Sequence, residues 1–565
     1  MFSKILIANR GEIAVRVVRT CRELGVATVA VHSDVDARAR HVALADEAVH
    51  LPGVAPAETY LNVEAILEAA GARGAEAIHP GYGFLSERAA AAEAVNAAGL
   101  VWVGPPPQAI RAVGDKLEAR RLAESAGVAS VPGTLQPVSG PEDVMAFGRE
   151  HGYPVAIKAT GGGGGRGLKV ATSPEGVIQA LGSAIREAEA YFGQGAVYLE
   201  RYLSAPKHLE VQILAARAGE AMWLGARDCS LQRRHQKLVE ETPPPRFAER
   251  VEEMGAAAVT VANACGYVNA GTVEFLMDTA DGRFYFLEVN ARLQVEHTIT
   301  EEVLGIDLVA AQLRIAAGED PGLSEGIPDP RGHAIECRIN AEDPSRSFLP
   351  RPGRLRRYRE PGGPGIRVDS GFAEGDDIPR AYDSLIAKLV VWGPNREDAR
   401  RRAIRALDEF EVEGVPTTIP AHRVLLENPA FVDGSYSTAT VEGGALDVLT
   451  RPTIAPATGT PPPALLDVAG TAVRLWHPAI AGAVSASGSG PSSVGQGAVV
   501  APMHGTILQV LVAEGETVEA GDPVAVLEAM KMETHVAAGA SGAVSAVHVG
   551  VGSIVEAGEV IAVIG

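Results

Sequence analysis

The sequence predicts an α/β protein whose opening segment builds a parallel sheet and whose closing segment builds a small all-β barrel. Two observations carry this. The chain begins strand, helix, strand: Lys4–Ala8 is an apolar run, Glu12–Leu24 has helical periodicity and stops at Gly25, and Ala27–Val31 is a second apolar run. Such a unit closes a parallel pair. At the other end, Gly505–Glu528 (GTILQVLVAEGETVEAGDPVAVLE) recurs as Gly542–Gly565 (GAVSAVHVGVGSIVEAGEVIAVIG) at a constant offset of 37, from Gly505 to Gly542. Val510/Val547, Gly515/Gly552, Val518/Val555, Glu519/Glu556, Ala520/Ala557, Gly521/Gly558 and Val526/Val563 are identical. Each copy is a set of short Val/Ile-rich runs broken by glycine, so two copies close a barrel with approximate two-fold symmetry and no free edge.

A chain of 565 residues, 46% hydrophobic and 21% charged, holds several globular domains. Net charge is −20, from 50 basic and 70 acidic residues, which argues against a nucleic-acid partner or an anionic membrane surface. Cys21, Cys229, Cys265 and Cys337 are far apart and form no CxxC pair, so reduced thiols fit better than disulfides or zinc. No signal peptide or long apolar span is read, and a soluble, cytoplasmic protein is expected.

The turn after the first strand is Asn9-Arg10-Gly11-Glu12, not GxGxxG, so the dinucleotide fingerprint is absent. Pro80–Phe84 is a glycine-broken loop after a strand at Ala77–His79. Tyr153–Val170 reads strand, glycine loop, strand. Lys158-Ala-Thr follows the strand Pro154–Ile157 and leads into five consecutive glycines, Gly161–Gly165, then Arg166-Gly167. Glycine N–H groups can approach an anion closely. Lys158 precedes them and no GK[ST] follows, so this is no Walker A motif. It reads either as a flexible hairpin or as a lid over triphosphate.

Gly271–Asp278 and Arg283–Asn290 are strands joined by a turn containing Asp281-Gly282. Period-2 alternation puts Glu288 and Asn290 on one face. A three-residue loop, Ala280–Gly282, sets Thr279 opposite Arg283 and Glu274 opposite Glu288. Two carboxylates and an amide oxygen suit Mg²⁺ or Mn²⁺; the alternative is a salt-bridged, solvent-facing sheet. Arg292, Gln294 and Glu296 share one side of an extended segment, where they could hold a small planar anion and its base. Arg227–Lys237 and Glu336–Asp343 add basic groups, and either alone is an ordinary charged surface.

From Thr450 to Gly497, Pro, Ala, Gly and Ser dominate, and the stretch reads as a linker. Inside it, Leu465–Val468 and Thr471–Trp476 flank Ala469-Gly470 like a small hairpin. Between the repeats lies Glu528-Ala529-Met530-Lys531-Met532, which puts Lys531 at a turn. A turn lysine is ordinarily just solvated, but two flanking methionines on an exposed turn cost solubility unless another surface reads them.

His79–Glu87 (HPGYGFLSE), Gly114–Lys116 (GDK), KATGGGGGRG, RDCSLQRRHQK, Asn290–His297 (NARLQVEH) and Glu336–Pro344 (ECRINAEDP) together resemble the biotin carboxylase family of ATP-grasp enzymes, over residues 1–448. Met530-Lys531-Met532 resembles the biotinyl (biotin carboxyl carrier) domain, whereas the sister lipoyl domains usually carry Asp-Lys-Ala. There are two departures. Pro502-Met503-His504-Gly505 stands for Pro-Met-Pro-Gly, and Thr298 stands where members usually have proline, with an expected effect on backbone stiffness.

The resemblance implies a Rossmann-like N-terminal domain (1–114), an ATP-grasp domain (115–333) with a glycine-rich lid (about 132–203), a β-rich C-terminal domain (334–448), the linker (449–497) and a biotinyl barrel (498–565). It implies ATP on Lys116, Lys158, the lid glycines Gly163, Gly164 and Gly165, Glu200, Leu203, His208 and Gln232. The divalent metal would sit on Glu274, Glu288 and Asn290. Bicarbonate would sit on Lys237, Arg292, Gln294 and Val295, with Glu296 as base. Tyr82 would line the biotin pocket, Arg338 would stabilise the biotin enolate, and Lys531 would carry biotin covalently.

The expected reaction is ATP-dependent carboxylation of biotin through carboxyphosphate. The expected partners are a carboxyltransferase β subunit, biotin protein ligase, and a second copy in a homodimeric core of a larger complex. The linker looks like that of a short acyl-CoA carboxylase α subunit, its hairpin a candidate docking element. Acetyl-, propionyl-, longer acyl- and methylcrotonyl-CoA all remain open as acceptors, as do pyruvate and urea. Two rivals are weighed: another bicarbonate-activating ATP-grasp ligase, and a carrier with a nucleotide-sensing partner. The biotin-type carrier counts against the first; Glu296 and Arg338 count against the second.

Overall fold

The computed structural model describes residues 1–134, 136–160, 168–192, 195–323, 326–450, 465–468, 471–474, 497–502, 505–529, 532–556 and 558–565. The lid glycines Gly163, Gly164 and Gly165 and the attachment candidate Lys531 lie outside these. The chain forms two compact units, Met1–Leu449 and Thr450–Gly565.

The first unit opens with five parallel strands, β1 (Lys4–Ile7), β2 (Ala27–His32), β3 (Glu47–His50), β4 (Ala77–His79) and β5 (Val101–Trp102), in the order β3-β2-β1-β4-β5. The expected first helix is α1 (Gly11–Glu23), which buries Ile13, Val17 and Cys21 at four-residue spacing. Ile5, Leu6 and Ile7 are wholly buried, as a central parallel strand covered on both faces requires.

Next come β6 (Val155–Ala159), β7 (Leu168–Ala171) and β8 (Val197–Arg201), antiparallel in the order β7-β6-β8. They have their own apolar core of Val144, Phe147, Val155, Ile157, Val177 and Leu199.

The main sheet is antiparallel. Its strands are β9 (Lys207–Ala215), β10 (Ala221–Arg233), β11 (Gln236–Thr242), β12 (Asn269–Met277), β13 (Phe284–Asn290) and β14 (His333–Asn340), ordered β13-β12-β9-β10-β11-β14, with Leu385–Gly393 and Ile366–Ser370 beyond β14. Alternation along β9 explains the site. Leu209, Val211 and Ile213 join the apolar core with Met254, Ala258 and Val261 of the helix Val251–Ala264. His208, Glu210 and Gln212 fall on the opposite face and are buried as well.

The β12–β13 hairpin sets Glu274 opposite Glu288, as the spacing predicts, but by another route. Near the turn, Met277 pairs with Phe284, and the Asp278 N–H and Arg283 C=O bond at 2.8 Å, so the loop is Thr279–Gly282, one residue longer than expected. A bulge then places one extra residue, Leu287, between Phe286 and Glu288, which restores the register.

The barrel of the second unit is two four-stranded sheets. One runs Ala498–Val500, Val560–Ile564, Gly542–Val547, Thr517–Val518; the other runs Met532–Ala537, Pro523–Ala529, Gly505–Val510, Ile554–Val555. The copies exchange their short strands. Val518 pairs with Gly542 while Val555 pairs with Gly505, and Thr517 with Ala543 while Ile554 pairs with Thr506. Gly515 N–H donates to Val544 C=O at 2.8 Å, and its counterpart Gly552 donates to Ile507 C=O at 2.7 Å. Ile507, Val518, Val524, Leu527, Val544, Val555 and Ile561 fill the interior. Ala529 pairs with Met532, the last pair of this hairpin before two residues outside those described. In the linker, Leu465–Val468 pairs antiparallel with Thr471–Arg474. Among the described residues, no helix is long and apolar enough to cross a membrane.

Candidate functional site

The polar face of the main sheet in the first unit gathers most of the candidate residues. Lys237, on β11, lies among three carboxylates: it contacts Glu210, reaches Glu296 at 2.6 Å and Glu274 at 3.5 Å. Burial opposes its charge, but Glu210, Glu296 and Glu274 outweigh that and hold it protonated far above the ordinary lysine range. Arg338, on β14, donates through Nε to Glu240 at 2.6 Å and through Nη2 to Glu296 at 2.9 Å. Burial would raise the Glu296 carboxyl; Lys237, Arg338 and Arg227 overcome it and hold the group well below the usual range. Burial dominates at Glu210 and pushes it up to about 7 despite Lys237.

Glu296 reaches this point differently from expectation. The segment bends at Arg292; Val295 and Glu296 form a turn, and Glu296 stands just before the helix His297–Leu304 with no side-chain bond to the helix end. Gln294 donates to Glu274 at 2.9 Å and accepts from Arg227 at 2.5 Å. Arg292 instead turns to Asn290 Oδ1 at 2.8 Å and to Glu87 at 3.1 Å. Val295 presents its carbonyl to Lys388 Nζ at 2.9 Å. Thr298 does more than relax the backbone: its hydroxyl donates to the buried Glu336, a contact proline cannot make.

Beside this cluster, His208 Nε2 is 2.8 Å from Glu274, and Gln232 is 3.4 Å from His208 Nδ1. Burial disfavours the imidazolium, but Glu274 prevails and raises the His208 pKa. Lys116 pairs with Glu288 at 3.2 Å. Lys158 contacts Glu200, which also takes Arg120 Nη1 at 3.2 Å. Leu203 lies half-buried in the connection between β8 and β9. Tyr82 donates its hydroxyl to Glu12.

Glu274, Glu288 and Asn290 bring oxygen donors to one strand pair, and Asn290 is 2.7 Å from Glu274. Glu288 keeps 30% of its side chain exposed, so a hydrated cation can reach it. This hard-oxygen set fits Mg²⁺. His208, Glu210 and Glu274, and likewise Glu210, Cys229 and Glu296, also hold ligand atoms within 4.8 Å of one another, but the Lys237 ammonium already sits among those carboxylates.

Sequence reasoning missed Glu210, Glu240, Arg227 as the hub behind Gln294, and Lys388. The signals were present: polar residues recurring at every second position in otherwise apolar strands, as in His208-Leu-Glu210-Val-Gln212, and a lone lysine in Ile386-Ala-Lys388-Leu-Val-Val.

Four family descriptions match: "Biotin carboxylase, N-terminal domain" at 1–110, "Carbamoyl-phosphate synthase L chain, ATP binding domain" at 115–323, "Biotin carboxylase C-terminal domain" at 336–443, and "Biotin-requiring enzyme" at 497–564. The chain is 46% identical, over 96% of itself and 95% of the relative, to the biotin-dependent acyl-coenzyme A carboxylase alpha3 subunit of Mycobacterium leprae. It is 49% identical, over 78% of itself and 90% of the relative, to a pyruvate carboxylase subunit of Methanothermobacter thermautotrophicus. Among solved structures, the biotin carboxylase domain dimer of Hydrogenobacter thermophilus 2-oxoglutarate carboxylase, in complex with MgADP, ADP and bicarbonate, matches with a TM-score of 0.75 at 45% identity, covering 79% of this chain and 99% of that one.

Proposed function

Since this chain belongs to the biotin carboxylase family and carries a biotinyl domain, we propose that it carboxylates biotin on its own Lys531, with ATP and bicarbonate, and hands the carboxyl group to a separate carboxyltransferase that acts on an acyl-CoA. The observation that carries the carboxylase reading is Glu296 held between Lys237 at 2.6 Å and Arg338 at 2.9 Å, a base flanked by cations in a buried pocket.

Bicarbonate fits against Lys237, Arg292, Gln294 and the Val295 backbone. By drawing on Lys237, one of the cations that depress Glu296, it leaves that carboxylate more basic when a proton must be taken. Lys116 and Lys158, paired with Glu288 and Glu200, exchange those carboxylates for ATP phosphates, and His208, Gln232 and Leu203 are assigned to the same nucleotide. Gly163, Gly164 and Gly165, outside the described residues, are assigned to the same ATP by the resemblance of their motif. Glu274, Glu288 and Asn290 would hold Mg²⁺ or Mn²⁺, which when bound neutralises charge on the transferring phosphoryl oxygens. Arg338, fixed by Glu240, faces the negative charge that develops on the ureido oxygen, and Tyr82 bounds the pocket.

The full-length likeness to the alpha3 subunit favours an acyl-CoA acceptor. A keto-acid acceptor is the second reading, supported by the likeness to the pyruvate and 2-oxoglutarate carboxylases. Biotin protein ligase would load Lys531, a second copy would complete a dimeric core, and the linker hairpin would touch the carboxyltransferase. The test uses the biotinylated full chain with labelled bicarbonate, ATP, Mg²⁺ and a panel of acyl-CoAs and keto acids. Label should appear on wild-type protein and be absent from Lys531→Arg, which should also lack streptavidin binding. Acid-stable label in any acceptor without a second subunit, or biotin retained by Lys531→Arg, would overturn the reading.

A further inference from the structure

In β-α-β folds, the turn after the first strand often receives a phosphate on the following helix. Here that turn is packed with its own polar groups. Asn9 is 2% exposed, and its Nδ2 donates to the carbonyls of Pro80 at 2.7 Å and Tyr82 at 2.8 Å. Gly81 has φ +62°, and a Cβ there would lie 2.8 Å from Asn9 Nδ2, so the loop comes this close only as glycine. Arg10 forks onto Asp36 at 2.7 and 2.8 Å and sits 4.3 Å over the Tyr382 ring, which meets Phe84 edge-on.

Glu12 is the pivot. It accepts from the Tyr82 hydroxyl and pairs at 3.2 Å with Lys388, which is fully buried. Lys388 donates to the Val295 carbonyl at 2.9 Å, one residue from Glu296, and its other carboxylate, Asp369, is 3.9 Å away. A buried ion pair contributes little net stability compared with apolar residues of the same shape, because desolvation offsets the attraction. What this pair does supply is a fixed distance between two loops.

We propose that Glu12 and Lys388 are positioning residues that tie the Tyr82 loop to the Val295–Glu296 turn, so that the biotin-facing and bicarbonate-facing halves of the site move as one. This rests on the roles given above to Tyr82 and Glu296. Lys116 and Lys158 lie outside the linkage, so loosening it disturbs the biotin-dependent step and spares ATP binding.

The test measures bicarbonate-dependent ATP cleavage by the full chain with free biotin. Glu12→Gln keeps the shape and an acceptor for Tyr82 but removes the charge. It should raise KM for biotin roughly tenfold while KM for ATP stays within about twofold, the signature of a displaced loop and not of a damaged fold. Adding Glu12→Gln to Lys388→Met should cost nothing beyond Lys388→Met alone. Biotin and ATP KM rising together, an unchanged KM for biotin, or additive losses in the double variant would overturn the proposal. Should Lys388→Met fail to fold, the KM split of Glu12→Gln decides alone. Tyr82→Ala serves as the control: if its KM for biotin is unchanged, the reading of the pocket fails, whereas an affected Tyr82→Ala beside an unaffected Glu12→Gln sinks only the linkage.

Discussion

Around Glu296, the carboxylase unit buries Glu210, Arg227, Glu240 and Glu274 against one another, whereas the described residues of the biotinyl unit bury only apolar side chains. The first arrangement is coupled. Each charge is tolerable because its neighbours neutralise it, so removing one leaves the others unpaired. The second is additive. Its interior is a doubled set of Val and Ile positions, and the loss of one is felt locally. Catalytic geometry needs the first kind of packing, and presenting one side chain to other surfaces needs only the second.

The largest expected effect lies at the centre of the charged region. Glu296→Ala should lower bicarbonate-dependent ATP cleavage by ~10²- to 10⁴-fold, the span of a general base, while nucleotide affinity by equilibrium binding changes little. A wild-type rate with free biotin would mean that the buried charges are scaffolding.

Glu241 offers a smaller test away from the chemistry. It accepts from His333 at 2.7 Å, Arg396 at 2.7 and 2.9 Å and Tyr436 at 2.6 Å. Burial opposes its ionisation, but His333 and Arg396 prevail and hold it at about 2 instead of the ordinary 4.5. A carboxyl depressed on folding adds stability above its unfolded pKa and loses it as pH falls from 4.5 through 2. Glu241→Gln should therefore cost roughly 3 kcal/mol at neutral pH, the low end for a broken buried pair because Arg396 keeps some solvent. Its stability should also fall less steeply across that acid window. Parallel pH profiles of the two proteins would refute the coupling.

The smallest effect is a difference expected to vanish. Val518→Ala and Val555→Ala remove symmetry-related side chains, and each should cost about 2 kcal/mol by hydrogen exchange of the barrel amides. The two values should agree within ~0.5 kcal/mol; a gap above ~1 kcal/mol would break the equivalence of the copies.

The contrast also marks what could be read from the chain. Repetition made the barrel legible, because two equivalent copies of short strands can close on one another. Contiguous motifs made Lys237, Glu296 and Arg338 legible as members of one site. Their partners were harder to see. Glu240 and Lys388 are joined to the site by strand pairing between distant segments, which no local pattern encodes. The bulge at Leu287 shows the same limit: a correct pairing of Glu274 with Glu288 was inferred from a loop one residue too short, and the two errors cancelled.

The strand exchange in the barrel bears on biosynthesis. Gly505–Thr506 lack their second neighbouring strand until Ile554–Val555 exist, and Thr517–Val518 wait for Gly542–Ala543. A nascent chain that has emerged only through the hairpin flanking Lys531 therefore cannot close either sheet. The lysine is already on offer as sequence, but its frame is finished only by residues made afterwards. Modification read through that frame would be confined to chains whose translation has passed the second copy.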